Sequence, residues 1–213
     1  MPADSERFME AMRRFDAANA EDPHFEVVDG VSYPRERLYA QRMTAWLERF
    51  APEASEALRL AARSQHIRRW MIPRDHYPMD RRGYLQWRTT LGRFHAETVA
   101  TILREVGYEE GMIQRVQALL RKEGLRRDAE VQCLEDVICL VFLESYCADF
   151  ARQLDAAKAL GILRKTWSKM SPRGREVARA AGLRLDVQQL IDAALAAESD
   201  DASEVSSDQA SDA

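Results

Sequence analysis

Glycine and proline are scarce, with nine and seven among 213 residues, where an average globular chain carries roughly 12% of the two together. So few breakers argue against a chain of many short strands and tight turns, and point to a compact, mostly helical protein. Long apolar runs are missing too. The longest, Val137 to Leu143, has seven residues where a membrane-spanning helix needs about twenty, so no membrane association is expected. The opening Met1-Pro-Ala-Asp-Ser-Glu-Arg7 lacks the basic-then-apolar pattern of an export signal. Cysteine is limited to Cys133, Cys139 and Cys147, an odd number in one apolar stretch, which suits reduced thiols better than a disulfide framework. Together these features predict a cytoplasmic protein. There is no glycine-rich phosphate loop, no paired CxxC and no Gly-x-Ser-x-Gly, so P-loop, zinc-ribbon and nucleophile-elbow chemistry have no support.

What is present is a chain 46% hydrophobic and 31% charged, enough for one sizeable core. The expectation is an all-α single domain over 1–197, with a disordered acidic tail over 198–213. That tail holds six acids and no base, too little apolar surface to offset the entropy of ordering it. The formal net charge of −4 therefore becomes +2 without it. Between residues 63 and 93 eight arginines face only Asp75 and Asp80, a local +6, interleaved with Trp70, Tyr77, Tyr84, Trp87 and Phe94. Guanidinium forks and aromatic faces together suit a phosphorylated or carboxylated ligand or a nucleic-acid strand. They also suit a solvated face whose arginines pair with acids elsewhere.

Apolar periodicity predicts a helix over 5–20, with Phe8, Met12 and Phe15 on one face and Ser5 as its cap, and another from Pro34 to about 50. Further helices are predicted over 53–70, 80–106 closed by Gly107 with weak points at Gly83 and Gly92, 109–122, 128–154, 155–170 and 186–197. The centre of 128–154 is apolar on every side, hence buried. Ser171-Pro172 reads as a cap followed by proline at the first helical position. Pro73 and Pro78 make 71–79 a loop. Phe25 to Val28, Asp29-Gly30 and Val31 to Tyr33 carry a short-hairpin signal, or an ordered loop.

Four ionisable side chains sit among apolar neighbours at helical spacing. Arg42 lies between Leu38 and Trp46, His66 follows Leu58 and Ala62, His95 stands between Leu91 and Val99, and Asp136 shares a face with Cys139, Leu140 and Leu143. Burying such charge is costly unless it is paired, hydrogen-bonded or metal-bound, so Asp136 needs a partner from another helix, and an Arg, a His or a metal could serve. Each alone also fits a hydrogen-bonded core residue, while four on four helices fit a shared site.

The string Gln65-His-Ile-Arg-Arg-Trp70, with Ile72-Pro-Arg74, Tyr77-Pro-Met79, Gly83-Tyr-Leu85, Trp87-Arg88 and Phe94-His-Ala96, resembles a bacterial and fungal family known as domain of unknown function 4202. The likeness continues through Leu119 to Glu123, Leu134 to Val137 and Leu163 to Ser171, covering most of residues 7 to 195. More distantly, the order of elements is similar to the HD superfamily of helical metal-dependent phosphohydrolases. Ala61-Ala-Arg-Ser-Gln-His-Ile67 is similar to that family's apolar run ending in His-Asp-Ile, with Gln65 at the His position and His66 at the Asp position. Arg42 falls in the region of the first His, Asp136 matches the last Asp, and His95 matches an extra His of two-metal members. Arginine is no metal ligand and glutamine a poor one, so the resemblance implies a modified site. In it His66, His95 and Asp136, with Glu135 or Glu123 nearby, hold a divalent metal such as zinc, manganese or iron.

The function this implies is an HD-like hydrolase of a small phosphorylated or nucleotide-like anion. His66, His95, Asp136 and Glu135 would carry the catalysis, and Arg42, Gln65, Arg68, Arg69, Arg88 and Lys122 would hold the anion beside Trp70 or Trp87. The same residues allow a metal-free HD-like module in which Arg42 pairs with Asp136 and the arginine-rich face binds an anionic metabolite or RNA. A third reading has the buried groups fixing helix register while a partner protein carries the function.

Overall fold

Side-chain caps set many of the helix starts. Ser55 Oγ accepts from the Leu58 N–H at 3.2 Å, Asp80 Oδ1 from Gly83 at 2.6 Å, Asp155 from Lys158 at 2.8 Å and Ser171 Oγ from Gly174 at 3.0 Å. Each satisfies an amide that the helix itself leaves without a partner. The computed structural model describes the backbone of residues 2–208 and the side chains of residues 6–196. The fold is all-α with one two-stranded hairpin among the described residues, and the chain divides into two compact units, Met1–Leu134 and Glu135–Ala213. Among the described residues no helix is long and apolar enough to cross a membrane.

The first unit packs α1 (Pro2–Ala20), α2 (Arg35–Phe50), α3 (Glu56–Ser64), α4 (Arg81–Val106) and α5 (Glu110–Leu120) against one another. Phe15, Met43, Leu60, Val99, Leu103, Ile113 and Leu119 are fully buried and form its core. Phe8 and Met12 are only half-buried, so the α1 stripe closes over the core at its C-terminal half. Strands β1 (Phe25–Val28) and β2 (Val31–Pro34) form an antiparallel hairpin in which Val28 faces Val31. Asp29 and Gly30 turn it with φ of 51° and 77°, the twist that a two-residue hairpin loop requires.

Helix α3 is shorter at both ends than the 53–70 expected. Ser55 starts it, and the chain turns at Gln65 into a single 3-10 turn, Arg69–Met71. Arg68 sits in the left-handed region at φ 50°, where Asn19 Oδ1 in α1 accepts its N–H at 3.0 Å. A partner 49 residues away therefore breaks a locally helical sequence. In the loop that follows, Arg74 donates to the carbonyls of Tyr77 and Pro78, and Trp87 Nε1 donates to Ile72 O at 2.9 Å. Gly83 is required there, because a Cβ at that position would lie 2.0 Å from the Pro78 carbonyl oxygen.

Helix α6 (Ala129–Ser145) begins at Asp128, whose carboxylate accepts from Glu130 and Val131 and binds Arg115. The division between units falls inside α6. The helix expected over 128–154 breaks at Tyr146, with φ −128°, and resumes as α7 (Cys147–Arg152), the rings of Phe142 and Phe150 meeting edge-on across the break. In the second unit α7 and α8 (Ala156–Lys169) pack with α10 (Leu185–Asp208), while α9 (Pro172–Ala180) starts at the expected Ser171-Pro172 cap. Leu143, Leu163, Trp167, Ile191 and Ala194 meet in its core. The expectation of a disordered tail over 198–213 falls on residues whose side chains (198–208) or whole placement (209–213) lie outside the described residues.

Candidate functional site

The turn that ends α3 brings Gln65 and His66 against α4. Ile67 N–H still bonds Ser64 O, but the Ile67 carbonyl is left outside the helix ladder and meets His95 Nδ1 at 2.8 Å. A carbonyl only accepts, so Nδ1 carries the proton and Nε2 keeps its lone pair. His95 is 4% exposed, and burial, with His66 second, lowers its pKa to about 3. It is a neutral imidazole with a fixed tautomer at any physiological pH.

His66 stacks on Tyr39 of α2 at 4.0 Å between ring centroids, and its ring lies 6.1 Å from that of His95. Burial, then Arg69, Arg88 and Lys122, pushes its pKa well down. Its Nδ1 is 3.3 Å from Glu36 Oε2 without hydrogen-bond alignment. Glu36 is buried, and that burial, reinforced by Asp22 and opposed by Arg69, raises its pKa to about 7. Both shifts favour the neutral forms, so below about pH 7 the pair is a protonated carboxyl group against a neutral imidazole rather than a salt bridge. Asp22 fixes the carboxyl-bearing turn by accepting the Glu36 N–H at 3.0 Å.

These histidines line a cavity of about 310 Å³ together with Gln65, Arg88, Thr89, Arg93, Arg121 and Lys122. Four of its lining residues are cationic and none is acidic. Gln65 and His95 are buried, Arg88 and Lys122 half-buried, and Arg93 and Arg121 exposed, so the polarity runs from neutral acceptors in the wall to charge at the mouth. Among the described residues Arg88 and Arg93 have no carboxylate partner, while Arg121 contacts Glu123 at 2.7 Å. Lys122 reaches the cavity from an unusual backbone. The Glu123 N–H bonds Ala118 O and the Lys122 N–H bonds Leu119 O, both at 3.0 Å, with Lys122 at φ 57°. That is a Schellman ending to α5 with lysine where glycine is the usual residue.

Of the residues singled out from sequence, Gln65, His66, Arg88, His95 and Lys122 line this one cavity. The other candidates lie outside this lining. Arg42 Nη1 donates to Glu26 Oε1 of the hairpin at 2.7 Å, and Arg68 binds Glu21. Arg69 lies 3.9 Å from Glu36, with its guanidinium 5.2 Å from the centre of the Trp87 ring. Trp87 is 7% exposed, and Arg74 also stands over its ring. Trp70 is half-buried beside that turn. Asp136 and Glu135 belong to the second unit. There Asp136 accepts from Ser171 N–H at 2.7 Å and from Ser171 Oγ at 2.5 Å, holding the start of α9, and Gly174 leaves it room. Glu135 lies 3.8 Å from Lys169 Nζ.

Among the described residues no three His, Cys, Asp or Glu side chains gather as a metal-holding group. Asp136 belongs to the second unit, and both of its oxygens accept from Ser171. Sequence reading missed Glu36, Arg93 and Arg121. Glu36 had a usable signal: with Ala40, Met43 and Leu47 it continues the buried stripe of α2 by one turn.

The fold and the cavity define an all-α protein with a cationic pocket over two neutral histidines, His95 buried and His66 half-buried. Residues 9–191 match the family model described as Domain of unknown function (DUF4202), and the chain belongs to that family. No curated protein and no solved structure matches it.

Proposed function

We propose that the first unit binds a small anionic molecule in the cavity between α3, α4 and the end of α5, without a resident metal. The observation that carries this reading is the convergence of Arg88, Arg93, Arg121 and Lys122 on one cavity with no acidic lining residue. Arginine forks bind oxyanions bidentately, and like charges held together are relieved by an anion. None of the three cysteines forms a disulfide, which fits the reducing cytoplasm as the compartment. Calorimetric titration with inorganic phosphate tests the proposal. Saturable binding at one site per chain is expected, weakened about ten- to hundredfold in Arg88→Gln through loss of a charge-assisted hydrogen bond of about 1.5–3 kcal/mol. Absence of saturable binding would refute it. RNA is the competing ligand class, and its affinity would fall steeply with salt through counterion release.

A second reading, metal-dependent hydrolysis of the bound anion, is favoured by the juxtaposition of His66 and His95 at 6.1 Å. It requires further ligands from outside the protein groups seen at the cavity. Elemental analysis of protein purified without chelator decides it: about one zinc, manganese or iron per chain, lost in His66→Ala, would favour hydrolysis, and no metal would favour simple binding.

A further inference from the structure

Helix α4 carries Arg81, Arg82, Arg88 and Arg93, and the stretch from Arg81 to Ala96 holds no acid. At about 3.6 residues per turn, Arg81 and Arg88 form one row on the helix surface and Arg82 and Arg93 a second row beside it. Arg88 and Arg93 line the cavity, while Arg81, Arg82 and again Arg93 line an open groove of about 630 Å³. Cavity and groove share Leu85, Thr89 and Arg93, so the two are continuous along α4. Among the described residues none of these four arginines has a carboxylate partner. Asp80, the nearest acid in sequence, is turned to the Gly83 N–H at 2.6 Å as the helix cap, and the groove has no acidic lining residue. Arg81 and Arg82 also stand in a first turn without acids, where the helix macrodipole disfavours cations. Such a charge arrangement opposes helix stability and is relieved by an external anion. Along the axis, Arg81 and Arg88 are separated by about 10 Å and Arg82 and Arg93 by about 16 Å. An oxyanion engaged by Arg88 and Arg93 in the cavity therefore leaves Arg81 and Arg82 unrelieved. Between the two ends lie Leu85, Gln86, Thr89 and Thr90, a neutral floor whose Leu85 is exposed.

Resting on the anion-binding reading above, we propose that cavity and groove together take one elongated ligand with an oxyanion, phosphoryl or carboxylate, at each end. One head sits in the cavity against Arg88 and Arg93, the other in the groove against Arg81 and Arg82, and a neutral stretch crosses Leu85 and Thr89. Guanidinium forks bind either oxyanion bidentately. Two heads joined by a linker long enough to span both subsites bind more tightly than one, because the second contact is made intramolecularly.

The test compares three probes by calorimetry on the full chain: hexane-1,6-diol bisphosphate, hexyl phosphate, which has the same chain and one head, and inorganic phosphate. The bisphosphate should bind at least about tenfold more tightly than hexyl phosphate. In the double variant Arg81→Gln, Arg82→Gln, shown to be folded by circular dichroism, that ratio should fall at least about fivefold. Octanedioate against octanoate repeats the comparison with carboxylate heads, and the pair with the larger ratio identifies the oxyanion. Ratios near one for both pairs would overturn the two-headed ligand and leave anion binding standing. A ratio unchanged in the double variant would overturn the assignment of the second head to Arg81 and Arg82. Failure of inorganic phosphate and of every other probe to bind would overturn the anion reading itself.

Discussion

Ionising Glu36 should destabilise the first unit, and the size of the effect follows from its surroundings. The carboxyl is buried and faces His66, His95, Asp22, Arg69 and Arg35, and its pKa is raised to about 7 from the ordinary 4.5. Between those two values the folded chain holds a proton that the unfolded chain has released, so stability falls as pH rises through the window. At 1.36 kcal/mol per pH unit the loss is about 3 kcal/mol by pH 8. Glu36→Gln, a close mimic of the protonated carboxyl, should match the native protein near pH 4 and exceed it by about 3 kcal/mol at pH 8. His66 and His95 act with the opposite sign, since their lowered pKa values add stability as pH rises toward 6.5. They are present in both proteins and cancel to first order in the difference. Urea unfolding followed by hydrogen exchange of α2 and α4 amides reads the first unit specifically. A stability difference that does not change between pH 4 and 8 would refute the buried neutral carboxyl.

Other consequences follow from the same contacts. Asp136→Ala should cost about 3 kcal/mol by stranding the Ser171 N–H and hydroxyl, and should leave phosphate affinity unchanged. Urea melts and calorimetry check the two halves, and lost phosphate binding in a folded Asp136→Ala would count against confining the site to the first unit. Lys122→Gly should relieve the left-handed backbone, a gain of up to about 1 kcal/mol, while phosphate affinity drops about tenfold. A more stable variant with full affinity would remove Lys122 from the site. Gly83→Ala should destabilise by about 3 kcal/mol, because its Cβ would lie 2.0 Å from the Pro78 carbonyl oxygen; an unchanged melting temperature would show that the loop yields freely. Affinity for sulfate, whose charge is constant over this range, should weaken as pH rises through about 7, where Glu36 acquires charge, and Glu36→Gln should flatten that dependence in a calorimetric pH series.

Local chemistry made much of this legible. Asp29-Gly30 specified its hairpin turn, Ser171-Pro172 its helix start and Gly107 its helix end, because each acts through its own neighbours. Asp136 was readable as buried, since its stripe is apolar, but its partner was not. The Ser171 amide and hydroxyl lie 35 residues away, and no pattern in sequence announces a backbone donor. The turn after α3 was equally hidden, because residues 53–70 are helical in periodicity and Asn19 breaks them from another helix. That turn brings Gln65, His66 and the Ile67 carbonyl to the wall of the cavity, so the most local of the errors concealed the site's geometry. Arg93 and Arg121 are exposed residues like many others, and only tertiary packing sets them around one cavity.

The most direct measurement is a nitrogen-15 imidazole NMR titration with inorganic phosphate at constant pH, because the chain has four histidines and only His66 and His95 line the cavity. The account predicts that these two resonances shift together and saturably while exposed His24 and His76 do not move. It also predicts a modest change in affinity between about 50 and 200 mM salt, far short of the roughly thousandfold loss that a nucleic acid spanning many phosphates would show. Unshifted His66 and His95 resonances at saturating ligand would contradict it.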